Sequence, residues 1–209
     1  MRRPVSYRVV LGTYLVKLIV DGAEYVRELI AKKDPSSAGS ETDIQARADL
    51  LSELRDMSDA VADMIDTAEG LRAQLRDLRR ARADDRSFGP IPRNAADLEQ
   101  KLVRFEGQLI ELNLTGGSQD WLRWPARFYA KVGSLAGSLD GPDFPPTASQ
   151  AAVHTMYKHQ LAGYQLKLSE MLEGTCRPLI DSLQRGASRP CPRQAFLEGP
   201  FITHLRNKS

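Results

Sequence analysis

Four aspartates are the first residues of this sequence whose spacing could do chemistry. Asp56, Asp59, Asp63 and Asp66 follow one another at intervals that place them on one face of a helix. Grouped carboxylates can bind a metal ion or act as an acid and a base. Helical two-metal sites, however, use inward glutamates and a Glu-x-x-His spacing, and no histidine lies near these aspartates. We therefore interpret this group as a solvated acidic stripe.

An arginine cluster follows the aspartates on the same predicted helix. Its members are Arg72, Arg76, Arg79, Arg80, Arg82 and Arg86. Such a cluster can bind phosphate, but arginines also suit the negative end of a helix dipole. Aspartates dilute the cluster and the net charge is only +2, so we expect no nucleic-acid partner. Arg76, Arg79 and Arg80 remain candidate residues for contact with another protein.

The two tryptophans form the other candidate interaction site. Trp121 and Trp124 flank a short segment before a predicted helix. Exposed tryptophans bind sugars or protein partners, whereas buried ones pack over the end of a helical bundle. Both interpretations stay open from the sequence.

No catalytic, cofactor-binding or metal-binding residues are predicted. His154 and His159 are five positions apart and point to different sides of a helix, and neither belongs to an HExxH motif. The nucleophile elbow, the P-loop and the dinucleotide-binding glycine motif are also missing. The residues therefore predict a protein that is not an enzyme.

The composition is that of an ordinary globular protein. The chain has 209 residues, of which 42% are hydrophobic, 27% charged and only 7% aromatic, which favours helical packing rich in leucine and alanine. No apolar run is long enough to span a membrane, so we expect no membrane partner. The apolar stretch 9–20 is interrupted by Thr13 and Lys17 and has no cleavage site after it, unlike a signal peptide. Cys176 and Cys191 do not decide the compartment, and the sequence leaves open whether they form a disulfide.

A β-hairpin is predicted near the N-terminus. Asp21-Gly22 is a favoured type I′ turn pair, and it sets Val20 opposite Ala23 and Leu18 opposite Tyr25. One face is then mostly apolar, and the other groups Lys17 with glutamates. Such a hairpin is marginal on its own, so we expect it to be loosely docked.

Helices are predicted for most of the remaining chain. The first begins near Thr42 with a Thr42–Gln45 capping box. Its heptad seam runs through Leu50, Leu54, Met57, Val61, Met64, Ala68, Leu71, Leu75 and Leu78. Three more helices follow: one from about Asn94, one from Trp124-Pro125, and one from Thr147 with a second capping box. Their apolar stripes are Leu98, Leu102, Phe105, Leu109 and Leu112; Phe128, Val132, Leu135 and Leu139; and Val153, Tyr157, Leu161, Tyr164, Leu168 and Met171.

The fold class predicted from these patterns is mainly α. We expect an antiparallel helical bundle with a long first helix, preceded by the hairpin. The predicted organisation is a hairpin region at 1–35, a helical bundle at 41–185 and a disordered tail at 186–209, which is rich in Pro, Arg, Ser and Gly.

Several motifs together resemble one family of large bacterial proteins. They are Gly12-Thr13-Tyr14, Val16, Leu18, Val20-Asp21-Gly22, Lys33-Asp34-Pro35, Ser118-Gln119-Asp120, Trp124-Pro125, Lys131, Leu135-Ala136 and Pro146-Thr147. Across 11–185 this order resembles the C-terminal region of BNR (Asp-box) repeat proteins described as sortilin-like (VPS10-like) or glycosyl hydrolase-like. There the hairpin ends a β-sandwich domain and a helical region follows. The propeller and its Asp-boxes are absent here, so its ligand-binding residues have no counterpart.

The resemblance implies a non-catalytic C-terminal accessory or interaction module. Its partner would be a protein, namely the missing propeller and sandwich part. The alternative is an independent helical scaffold or adaptor that binds a partner coiled coil, and a glycosyl hydrolase-type enzyme is a third hypothesis. Relatives of this kind are secreted or periplasmic, whereas this chain expressed alone is expected in the cytoplasm. The sequence leaves the oligomeric state open.

Overall fold

The computed structural model describes residues 10–81, 91–114, 123–141 and 143–176. In this part the protein is mainly α, with an N-terminal β-hairpin followed by a long helix and three shorter ones. This confirms the predicted fold class. None of these helices combines the length and the hydropathy needed to cross a membrane.

The hairpin has the predicted turn and register. Strand β1 is Gly12–Val20 and strand β2 is Ala23–Ala31, paired antiparallel with Val20 opposite Ala23. Asp21 and Gly22 have φ angles of 51° and 82°. Both central residues therefore adopt the left-handed conformation that a type I′ turn requires.

Helix α1, Glu41–Ala81, begins slightly earlier than predicted. The capping box is formed by Ser40 and Asp43: the Asp43 amide donates to Ser40 Oγ over 3.1 Å, and the Ser40 amide donates to Asp43 Oδ2 over 3.0 Å. The predicted Thr42–Gln45 box is wrong, because Gln45 donates instead to Asp49, one turn further along α1. Ser40 and Asp43 have the same three-residue spacing two residues earlier, and the Asp43 carboxylate takes the role expected of Gln45.

The other helices are α2, Ile91–Leu109; α3, Phe128–Leu139; and α4, Ala148–Met171, which continues as a π-helical turn, Leu172–Cys176. Helix α2 begins three residues before Asn94, because Pro92 is tolerated in a first helical turn. Helix α3 begins after Trp124-Pro125. The second capping box is confirmed, since the Gln150 amide donates to Thr147 Oγ1 and the Thr147 amide donates to Gln150 Oε1. The expected helix end at Pro178 and the 186–209 tail lie outside the described residues.

The chain divides into two compact units. The first comprises Met1–Ala60 and Tyr129–Gln160, and the second comprises Val61–Phe128 and Leu161–Ser209. The buried apolar residues of the first unit are Ile44, Leu54, Met57, Val132, Leu135, Ala136 and Leu139. Those of the second unit are Val61, Met64, Ala68, Leu75, Ala95, Leu98, Leu102, Phe105, Leu109, Phe128 and Leu168.

The predicted stripes account for most of these core residues. In the α1 seam from Leu50 to Leu75, every member is buried except Leu50 and Leu71, which are half-buried, and the α3 stripe is buried throughout. The burial of Leu78 lies outside the described residues. Leu112 is 43% exposed because α2 ends at Leu109. On α4 only Leu168 of the predicted stripe is buried, and most of that helix is exposed or half-buried.

Candidate interaction surface

The hairpin exposes large apolar side chains on both of its faces. In an antiparallel pair, side chains alternate between faces and directly opposite residues share one. One face carries Tyr14, Val16, Leu18, Val20, Tyr25 and Leu29. The opposite face carries Leu15, Ile19, Val26 and Ile30. These ten side chains, together called the hairpin surface, are 36% to 76% exposed, so the part of the chain that the structure describes covers neither face.

The charges of the hairpin are distributed unevenly between its strands. Strand β1 carries a single charged residue, Lys17, whereas β2 carries Glu24, Arg27 and Glu28. The Lys17 ammonium forms an ion pair with Glu24 across the strands at 2.5 Å. Charged side chains on an edge strand deter pairing with another chain, so β1 is the less protected edge.

A tight contact in the first unit fixes the segment between the hairpin and α1. A Cβ added to Gly39 would lie 1.5 Å from the backbone oxygen of Asp143. Arg47 of α1 binds the same loop, donating to the Gly141 carbonyl over 2.7 Å and to Asp143 Oδ1 over 2.9 Å. Only glycine fits at position 39, and the chain that leaves the hairpin is therefore held against the loop before α4.

The predicted arginine candidates are partly used inside the second unit. Arg76 Nε donates to Glu99 Oε1 over 2.6 Å, and Arg79 donates to the other oxygen of the same carboxylate over 3.0 Å. The hydrogen bond from Arg76 is the main cause of a lowered Glu99 pKa. Arg80 is exposed. The structure thus joins two of the three arginines to a shared glutamate on α2.

The remaining predicted groups are separate from one another. Trp124 is 40% exposed, whereas Trp121 lies outside the described residues. The four aspartates of the acidic stripe are exposed along α1. The described residues contain no group of three or more acidic, histidine or cysteine side chains that could hold a metal ion.

A titratable cluster lies in the first unit, in a cleft of about 490 Å³ between α1 and α4. His154 is 7% exposed, and its Nε2 is 3.3 Å from Glu53 Oε2. Lys158 donates to the same Glu53 oxygen over 2.8 Å, which lowers the Glu53 pKa. Burial lowers the His154 pKa, with a smaller contribution from Lys158 and an opposing one from Glu53. His154 is therefore held in its neutral form at neutral pH.

A buried carboxylate lies in the second unit. Glu106 is 2% exposed and forms an ion pair with Arg72. Burial raises the Glu106 pKa and Glu69 adds to that effect, while Arg72 opposes it. Sequence reasoning did not single out Glu106, although it follows Leu102 by four residues and precedes Leu109 by three. That spacing already places it on the apolar side of α2.

Comparison with family models, with curated proteins and with solved structures found no match. The resemblance to the C-terminal region of BNR-repeat, sortilin-like proteins is therefore carried by the residues alone and stays a prediction.

Proposed function

We propose that this chain is a non-catalytic protein-interaction module. Its hairpin docks on a β-strand of a protein partner, and the segment around Gly39, packed against the loop before α4, joins the hairpin to the helices. The observation that carries this proposal is the exposure of all ten side chains of the hairpin surface, at 36% or more. Isolated hairpins are marginal in water, and burial of each large apolar side chain stabilises by roughly 1.5–3 kcal/mol. A partner strand that pairs with one edge would bury part of this apolar surface, and that burial favours binding.

The chemistry of the hairpin specifies the kind of partner. Docking by strand addition uses backbone hydrogen bonds for affinity and alternate side chains for selectivity. An extended segment without charges fits best, because β1 offers only one charge, and Glu24 already neutralises it. The resemblance described above would place that strand in a β-sandwich domain of a larger protein.

The same observations bear on the other two hypotheses. A coiled-coil adaptor would present the heptad seam of α1, but Leu54, Met57 and Val61 are buried within this chain. A glycosyl hydrolase would use carboxylates in a substrate cleft, whereas the acidic stripe that the sequence singled out is spread along an exposed helix face. Neither hypothesis gains support, and the proposal includes no turnover, metal or cofactor.

A strand peptide provides the direct test. The probe is a synthetic peptide of alternating valine and threonine with lysine at both ends, and the control is the same peptide with proline at its centre. At concentrations low enough to keep the chain monomeric, we expect the first peptide to slow amide exchange at Thr13, Leu15 and Lys17 while exchange in the helices stays unchanged. If both peptides leave exchange in the hairpin unaltered, the hairpin is not a strand-docking element and the proposal fails.

A further inference from the structure

Apolar side chains line both strands of the hairpin. Strand β1 carries six of the ten and β2 carries four, and all are at least 36% exposed. A strand added beside β1 therefore gains cross-strand apolar contacts on both faces in addition to backbone hydrogen bonds.

Within the described residues the sheet has two strands, so each strand has one free edge. In a type I′ hairpin the residues that flank the turn exchange hydrogen bonds, and every second pair does the same. Val20 and Ala23 flank the turn here. It follows that Thr13, Leu15, Lys17 and Ile19 direct their backbone N–H and C=O groups away from β2. These groups can pair with another strand.

The free edges of β1 and β2 differ in how well each can pair with the same edge of a second copy of the chain. When two antiparallel copies of a strand overlap completely, the central residue lies opposite its own copy. That residue is Val16 in β1 and Arg27 in β2. Two arginines directly opposite each other repel, whereas two β-branched side chains pack well across strands. Lys17 would lie opposite Leu15 of the other copy, so no like charges face each other directly along β1.

We infer that the partner of the hairpin is a second copy of this chain, bound edge to edge through β1 in a four-stranded antiparallel sheet. The inference rests on the proposed function, because it names the partner strand that the hairpin docks on. Complete overlap forms about eight new backbone hydrogen bonds. The resulting sheet has four strands, which exceeds the minimum of about three that a sheet needs for independent stability.

The charges of β2 limit this assembly to two chains. After β1 pairs with its copy, the β2 strands become the outer edges and expose Glu24, Arg27 and Glu28. Edge charges of this kind deter further strand addition. A contact that uses the same surface on both chains closes on itself, so the product is a dimer and not a filament.

A disulfide between the two copies of residue 16 tests the register of the proposed pairing. In the 209-residue chain carrying Cys176→Ser and Cys191→Ser, Val16→Cys would face its own copy in a non-hydrogen-bonded pair. The Cα separation there is about 4.5 Å, within the roughly 4.4–6.8 Å range of disulfides. Leu29→Cys in the same background is the control, because Leu29 lies on the same face and is equally exposed, 51% against 49% for Val16. We expect mild oxidation to cross-link the first chain and to leave the second monomeric on a denaturing gel.

Sedimentation equilibrium of the chains without added cysteine completes the test. We expect a reversible dimer in the micromolar range, weakened on the order of tenfold or more by Val16→Lys, which opposes two ammonium groups. Leu29→Lys should leave the dimer intact. A monomeric wild type, a dimer indifferent to Val16→Lys, or equal cross-linking of both cysteine variants overturns the inference. A monomer that still binds the strand peptide overturns the inference alone, whereas a monomer that ignores the peptide overturns the proposed function as well.

Discussion

The Arg72–Glu106 ion pair gives the sharpest prediction for the helical part. The Glu106 side chain is 2% exposed and that of Arg72 is 18% exposed, so the carboxylate depends on its arginine far more than the arginine depends on it. Arg72→Met would leave a buried carboxylate without its counter-ion. Loss of one partner of a buried pair costs about 3–5 kcal/mol. Glu106→Gln should cost less, about 1–3 kcal/mol, because the amide oxygen still accepts a hydrogen bond from Arg72.

The double variant separates the ion pair from the packing around it. Arg72→Met with Glu106→Leu removes both charges, and apolar replacement of a buried pair is often neutral or stabilising. We expect it to be clearly more stable than Arg72→Met alone. Urea unfolding followed by circular dichroism gives the free energy of unfolding of each chain, with unchanged slopes marking comparable transitions.

The pH dependence of the same variants supplies a second readout. The Glu106 pKa is raised in the folded state, so between the unfolded and folded pKa values the folded chain binds more protons. Its contribution to stability therefore falls as the pH rises through that window. Arg72→Met removes the opposing charge and should deepen this fall. The loss of unfolding free energy of Arg72→Met relative to the wild type should therefore be small below the unfolded-state pKa of Glu106 and reach its full size at neutral pH. A deficit below about 1 kcal/mol at neutral pH, or one independent of pH, refutes the reasoning.

Three further outcomes are expected. The His154 pKa is lowered in the folded state, so the contribution of His154 to stability is lost as the pH falls from the unfolded-state pKa towards the folded-state pKa. The His154→Leu variant should therefore lose less melting temperature on acidification than the wild type. The same change at the exposed His159 should leave the pH profile unchanged. Gly39→Ala should destabilise by about 1–3 kcal/mol in thermal unfolding, because its Cβ collides with a backbone carbonyl; a neutral result would contradict that contact. Leu102→Ala should cost about 2–5 kcal/mol in urea unfolding and Leu112→Ala far less, since Leu102 is fully buried and Leu112 is 43% exposed; equal costs would contradict the observed end of α2.

Local chemistry explains why the hairpin could be derived from the sequence in full. Two adjacent residues, Asp21 and Gly22, determine the turn, and a two-residue turn fixes the register of every following pair. The α3 stripe, with Phe128 and Val132, was equally accessible, because each residue has strong apolar neighbours at helical spacing.

Other features depend on contacts between distant parts of the chain. Ser40 prevailed over Thr42 as the helix cap although both have suitable spacing, so spacing alone did not select the start of α1. The burial of His154 and Arg47 depends on partners about 100 positions away, Glu53 and Asp143 respectively. No periodic pattern contains that information. The ion pairs of Arg76 and Arg79 likewise depend on a distant residue, since Glu99 lies on another helix.

Amide exchange of the dilute chain tests the central claim most directly. The account holds that the hairpin surface is uncovered by the chain's own helices and needs a partner. At concentrations low enough to keep the chain monomeric, the amides of 14–29 should exchange much faster than those of buried helical positions such as Leu54 and Leu102. Exchange of these amides should slow when the strand peptide is added or when the concentration of the chain itself is raised. Hairpin protection equal to that of the helices in the dilute monomer would contradict the account, because it would show that the hairpin is already docked within its own chain.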